Sequence, residues 1–448
     1  MDDVLTSSGS GSGVAGAGNT RSEEKRASLC LEAFAVVLIQ AFSGTVSFMP
    51  TRHLQLVSLQ FCIACRSYST LLVKLTKKTP RRLWISSPRE LADPRASRRS
   101  PDMDRGSFVP SNRVPLVRAC GLVVTSAMTA RLDDFMCREN TLFVNLRRLV
   151  FGPTFNRYID SVETWPAMLQ QLEFGKYFNK PIAGVKWPPS LQQLTFGFLF
   201  NQAVVNVEWP ASLQQLTFGF EFNQTIERVE WPALLQRLEF GYYFNKPIDL
   251  VVWPDCLQQL RFGYSFNQPI ERVKWPSLLR QLVFGCRFNK PIEGVVWPTS
   301  LQQLILGHKF QQRIEMVLWP ASLLRLTFGG LFNQPIEGVA WPVFLQQLTF
   351  RGLFNHPVER VQWPGSLKQL EFGYYFNKPI QGVVWPASLE QLKFGYHFNQ
   401  RVGGVEWPAS LQKLTLGGGF KQAVEGLEWA TSVKQLTFEK TSNNLSRE

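Results

Sequence analysis

From about position 146 onward, apolar residues return with a period of 22. Thirteen tryptophans, from Trp165 and Trp187 to Trp407 and Trp429, each stand 22 residues after the last. Numbering a unit from its Trp, the pattern is W-P-x-S-L-Q-Q-L-x-F-G-x-x-F-N-[KQ]-P-I-x-x-V-x. Leu occupies position 8 from Leu172 to Leu436, and Phe occupies position 14 from Phe178 to Phe420. Position 21 is Val from Val185 to Val405, with Leu427 the only change. Positions 8 and 10 are apolar while 7 and 9 are polar or variable, an alternation that predicts a short strand with one face turned inward. Gly at position 11, as in Gly175 and Gly197, is expected to let the backbone turn out of that strand. Pro at position 2, and at position 17 in Pro181, Pro247 and Pro269, excludes helix from the rest of the unit.

A period held this strictly is the mark of a solenoid, because one net insertion would rotate every later side chain out of its row. The predicted fold is therefore a repeat solenoid, mostly β, with coils of 22 residues, one short parallel strand per coil and little helix. Neighbouring strands would lie about 4.8 Å apart. No single coil can bury itself, so stability is nearly a sum over coils and their interfaces. The solenoid is assigned to residues 141–438, opening with the imperfect unit Leu146 to Gly152 and one extra residue before Trp165.

Two rows invite a functional reading and have a stronger structural one. Asn at position 15 (Asn179, Asn201, Asn223, Asn245, Asn267, Asn289) can hydrogen-bond the backbone of its own turn and of the next coil, forming a ladder rather than a ligand row. The Trp row, including Trp187, Trp209, Trp231 and Trp253, reads as a packed corner. The candidate interaction face lies elsewhere. Position 12 is aromatic in Phe198, Phe220, Tyr242 and Tyr264, and again in Tyr374 and Tyr396, and such a row either binds or shields the core. Beside it, Arg237 and Arg261 interrupt the polar strand positions 7 and 9.

Phe178-Asn179-Lys180-Pro181-Ile182 and Phe266-Asn267-Gln268-Pro269-Ile270, each preceded by a Leu-x-x-Leu-x-Phe-Gly stretch, resemble the FNIP repeat, a 22-residue relative of the leucine-rich repeats. Units of that family usually begin Leu-Pro, where this chain has Trp-Pro, and the runs starting at Phe310, Phe398 and Phe420 also depart from the motif. The resemblance implies a leucine-rich-repeat-like, right-handed solenoid used for protein interaction, with no catalytic residues. The F-box or kinase modules that accompany some relatives have no visible counterpart.

Chemistry adds little to this. Carboxylates at position 9 sit three or six coils apart, too far for paired acid and base work on a glycosidic bond. Only four His occur, His53, His308, His356 and His397, in scattered register, so neither a metal nor a cofactor is expected. Seven cysteines, with one isolated Cys62-Ile-Ala-Cys65, do not make a disulfide framework and favour an intracellular setting.

The N-terminal third is a different kind of sequence. Residues 1–28 are low-complexity and expected to be disordered. Residues 29–49 are apolar and of a length to suit a membrane or signal segment, although Glu32 and Gln40 interrupt them. Residues 50–140 read as a basic, mostly disordered linker with a short cap for the solenoid at its end. Within it, residues 52–99 hold 11 basic against 2 acidic side chains, a net +9. The linker could touch nucleic acid or an anionic membrane, but residues 141–448, with 29 basic and 22 acidic side chains, are too mildly charged for the solenoid to read nucleic acid. Residues 439–448 form a polar tail. The expected function is a non-enzymatic scaffold binding other proteins through the strand face. The alternatives are a membrane-attached or secreted recognition protein for carbohydrate or surface ligands, which finding a glycan on Asn444 would favour, and a structural spacer.

Overall fold

The computed structural model describes residues 146–423 and 433–438, together with the backbone of two earlier strands. The remaining N-terminal segments, residues 424–432 with Trp429, and the tail lie outside the described residues. Sixteen strands form one parallel sheet in sequence order. They are β1 (Leu71–Val73), β2 (Gly121–Val124), β3 (Arg148–Phe151), β4 (Gln171–Glu173), β5 (Gln193–Thr195), β6 (Gln215–Thr217), β7 (Arg237–Glu239), β8 (Gln259–Arg261), β9 (Gln281–Val283), β10 (Gln303–Ile305), β11 (Arg325–Thr327), β12 (Gln347–Thr349), β13 (Gln369–Glu371), β14 (Gln391–Lys393), β15 (Lys413–Leu416) and β16 (Gln435–Phe438). Among the described residues there is no helix. The fold is the parallel, mostly β solenoid that the periodicity predicts.

Register follows the repeat, with Leu172 beside Leu194 and Leu304 beside Leu326. The extra residue before Trp165 is absorbed outside the sheet, since Leu149 still lies beside Leu172. Each coil turns three corners, at positions 3–4, 12–13 and 19–20. Backbone bonds close them: in one coil Leu257 N–H donates to Pro254 O at 3.0 Å, Phe266 N–H to Gly263 O at 3.3 Å and Val273 N–H to Ile270 O at 3.2 Å. The three sides between corners send Leu, Leu and Phe, then Phe and Ile, then Val and Trp into one continuous core. Phe at positions 10 and 14 stack within a coil, as Phe262 on Phe266 at 4.0 Å, and along the rod, as Phe244 on Phe266 at 6.1 Å.

The position 11 glycines have a different cause from the one expected. None has the left-handed backbone that would need Gly, which occurs instead at corner position 20 in Gly184, Gly294, Gly338, Gly382 and Gly404, at Asn206, and at Gly352. What excludes a side chain at position 11 is the coil beneath. A Cβ on Gly263 would sit 1.7 Å from Gly241 O, and one on Gly241 would sit 1.6 Å from Gly219 O. Where Arg351 takes position 11, the close approach moves one residue on, to Gly352, whose Cβ would lie 2.0 Å from Gly330 O.

Candidate functional site

The Asn row is used by the fold itself. Each Asn Oδ1 accepts the N–H of its counterpart one coil on: Asn201 N–H donates to Asn179 at 3.0 Å, Asn223 to Asn201 at 2.9 Å, Asn245 to Asn223 at 3.0 Å, Asn267 to Asn245 at 2.9 Å and Asn289 to Asn267 at 2.9 Å. At the departure from the motif, Gln311 Oε1 takes over, accepting Asn333 N–H at 3.0 Å. A second amide row, not recognised in the sequence, lies beside it. Gln at position 16 donates back, as Gln202 Nε2 to Asn179 Oδ1 at 2.8 Å and Gln268 Nε2 to Asn245 Oδ1 at 3.0 Å. The recurring Ser at position 4 is a third such device, since Ser190 Oγ donates to Leu169 O at 2.8 Å and Ser300 Oγ to Leu279 O at 2.8 Å. These groups are occupied and offer little to a ligand.

The Trp row is also packed inward. Trp187 meets Phe174 edge-on at 6.5 Å, and Trp253 meets Phe240 in the same way at 6.5 Å. The indole N–H groups from Trp165 to Trp385 are buried and have no hydrogen-bond acceptor. Burial of the ring therefore carries this row, against the cost of a donor with no partner.

What remains for a partner is the strand side and the corner at positions 12–13. At that corner the structure brings Phe198, Phe220, Tyr242 and Tyr264 into one stack, with successive ring centroids 4.3, 4.3 and 4.4 Å apart and planes within 15°. Lys176 Nζ covers the outer face of Phe198 at 5.6 Å and the Arg287 guanidinium covers Tyr264 at 5.6 Å. The inner ring faces are thus taken by other rings and a cation lies over each end face, so the stack shows the exterior mainly its edges and two hydroxyls. A hydrogen bond with the Cys286 thiol holds the Tyr264 hydroxyl above the ordinary phenol range, against the pull of Arg287. Tyr374 and Tyr396 form a separate, looser pair at 5.2 Å, beside Tyr375 stacked on His397 at 4.8 Å.

The strand side carries the charge. Arg237 and Arg261 both lie in a shallow depression over β7 to β9, lined also by Glu239, Gln259, Gln281 and Val283. Arg237 pairs with Glu239 on its own strand. Farther along, Lys393 pairs with Glu371 at 2.9 Å and Lys368 with Glu390 at 3.3 Å, across the join of β13 and β14. At the other end Arg148 pairs with Glu173 at 3.3 Å. Glu337 at position 19 meets Arg360 at 3.7 Å on an exposed edge. Among the described residues, no group of three or more His, Cys, Asp or Glu could hold a metal ion. Nor does any described helix cross a membrane, and residues 29–49 lie outside the region to which that applies.

The model of the FNIP Repeat matches seven overlapping windows, residues 222–265, 244–287, 266–309, 288–331, 332–375, 354–397 and 376–419. Each opens on the position 14 Phe. No window opens at Phe310, where Gln311 and Arg313 stand in place of Asn and Pro. Residues 222–419 of the array are thus matched as FNIP repeats. Among solved structures the chain is similar to CroV588, described as a novel circular LRR protein, at 31% identity over 71% of this chain and 58% of that one, with a TM-score of 0.44. It therefore spans little more than half of that protein's length. It is similar also to YopM from Yersinia enterocolitica, at 18% identity over 72% of this chain and 68% of that one (TM-score 0.40), and to an internalin from Listeria monocytogenes, at 15% identity over 66% and 81% (TM-score 0.40). No curated protein matches the chain.

Proposed function

We propose that this array of FNIP repeats is a non-enzymatic scaffold that binds another protein along its strand side and the adjoining aromatic corner. The observation that carries the reading is the division of labour among repeat positions. Positions 4, 11, 15 and 16 hold one coil to the next through Ser, Gly, Asn and Gln, so they are closed to a partner. The side chains at positions 9, 12 and 13 vary from coil to coil, and position 7 departs from Gln at Arg237, Arg325 and Lys413, which gives this side the variation that a recognition surface needs. A carbohydrate platform fits this corner less well, because sugars stack on ring faces and the faces here are taken.

The test is site-specific photocrosslinking in the full chain. A photoreactive residue replacing Gln259 or Gln303 on the strand side should give polypeptide adducts in cells. The same residue replacing Lys246 on the side bearing the Asn ladder should give few. Adducts only at Lys246, or none that contain polypeptide, would refute the assignment.

A further inference from the structure

We infer that the partner segment is acidic and extended, and lies across strands β7 to β11 beside the aromatic corner. This rests on the strand side being a protein-binding surface and adds the chemistry of what it binds. Arg237, Arg261, Arg280 and Arg325 stand at positions 6, 7 and 9 of these five coils, where Glu239 is the sole carboxylate. Arg287 and Lys309 follow at the adjoining corner, while the opposite corner contributes Asp255. All six cations are exposed.

Register makes the surplus sharper. On β13 and β14 each Lys has a Glu on the neighbouring strand, and both pairs close. On β9 to β11 the cations face neutral neighbours: Arg325 lies between Gln303 and Gln347, and Arg280 has Gln258 and Gln302 at its own position in the adjacent coils. Glu239, directly beside Arg261, is already bonded to Arg237. Across β13 and β14 the strand-side charges are balanced within the fold, whereas Arg261, Arg280 and Arg325 form the larger unbalanced group, with Lys413 and Lys434 a smaller one near the other end.

The apolar content favours a polypeptide. Val283 and Ile305 replace the polar residue of position 9 in the middle of the cationic stretch, giving an apolar floor with a charged margin, the usual anatomy of a protein interface. Nucleic acid would want ring faces on which to stack its bases. The inner faces of the Phe198 to Tyr264 stack are closed and its ends lie under cations, and it presents ring edges, the positive part of the aromatic quadrupole, which suit a carboxylate or a carbonyl. Five strands at about 4.8 Å spacing span about 19 Å, the reach of about six extended residues. The chain's own linker is a poor occupant, since residues 52–99 carry a net +9. A second copy meeting it face to face would bring the same cations together.

The experiment is selection of phage-displayed random 12-residue peptides on the full chain. Binding of the enriched peptides is then measured by fluorescence anisotropy for the native protein and two charge-matched triple variants. Arg261→Gln, Arg280→Gln and Arg325→Gln strip the face. Lys246→Gln, Arg313→Gln and Lys378→Gln remove equal charge from the Asn-ladder side. Enrichment of Asp- and Glu-rich peptides is expected. Exposed ion pairs contribute about a two- to five-fold effect each, so the face variant should bind about tenfold or more weakly and the control about as well as the native chain. Binding should also weaken as salt is raised. All six side chains lie outside the core, so equal urea midpoints show that folding is unchanged. Neutral or basic peptides bound through the strand side would overturn the acidic assignment and leave the scaffold reading standing. No enriched peptide, with single-stranded RNA bound instead, would overturn both.

Discussion

Removing one rung of the Asn ladder separates a structural row from a ligand row. Asn267 Oδ1 accepts the half-buried N–H of Asn289 at 2.9 Å, so Asn267→Ala leaves that donor without its partner. An unsatisfied buried donor costs about 1–3 kcal/mol, and access of water at this partly open position puts the loss near the lower end. Asn245 supports more, because its Oδ1 accepts both Asn267 N–H at 2.9 Å and Gln268 Nε2 at 3.0 Å. Asn245→Ala should therefore cost somewhat more than Asn267→Ala, by less than the ~1 kcal/mol of a whole hydrogen bond, because Gln268 Nε2 keeps its bond to the Asn245 backbone O at 3.1 Å. Asn267→Gln should recover most of the loss, since Gln311 already serves the row through Oε1. Urea denaturation gives the global effect. Hydrogen exchange read by mass spectrometry over the peptide containing Asn289 gives the local one, expected to be about tenfold faster in Asn267→Ala. Unchanged exchange at Asn289, or equal costs at Asn245 and Asn267, would refute the ladder argument.

Gly263→Ala and Gly365→Ala should move stability in opposite directions, read as urea midpoints. The first drives a Cβ to within 1.7 Å of Gly241 O and should cost more than about 2 kcal/mol. The second meets nothing within 4 Å and should gain about 0.4–1 kcal/mol by stiffening the unfolded chain. Trp253→Ala should cost about 3–5 kcal/mol, whereas Trp253→Phe should cost clearly less, because the indole N–H it deletes has no acceptor. Equal thermal losses for the two would show that this N–H matters. Cys286→Ala should lower the Tyr264 phenol toward its ordinary value, followed by carbon NMR of the labelled ring, and an unmoved titration would refute the bond. Any stability from that raised value is present below about pH 10 and is lost as pH climbs through it, where the hydroxyl ionises in the folded chain too.

The core was legible because each of its rows repeats one residue type at one position, and the 22-residue period makes the inward face unambiguous. Leu172, Phe174 and Phe178 could be placed from pattern alone, and the structure buries all three. Devices acting between coils were harder to read. Gly263 looks like a turn glycine until the coil beneath is in place, because the obstacle to its Cβ is Gly241 O, 22 residues away. Gln268 at position 16 alternates with Lys and so reads as solvated surface, yet its amide reaches Asn245. The aromatic row could be named, but not whether it showed faces or edges, because that depends on ring tilt against the coil spacing.

An array of near-identical coils faces a conflict between building itself and recognising anything else. A residue repeated in every coil is held there by the next coil, as the Asn, Gly, Phe and Trp rows are, and such rows present the same surface at every step. Uniform rows cannot define one place along the rod, so recognition needs departures. At positions 6, 7 and 9 the outward residues are mainly Gln and Thr, and the longest run of departures of one sign lies between Arg237 and Arg325, with a shorter one at Lys413 and Lys434. Several departures elsewhere are neutralised, as Glu173 is by Arg148 and Lys393 by Glu371. The apolar pair Val283 and Ile305 breaks the same row within that stretch, and the ring stack ends beside it at Tyr264. Charged and apolar departures thus gather over the same few coils, β7 to β11, and the ring stack reaches them at Tyr242 and Tyr264.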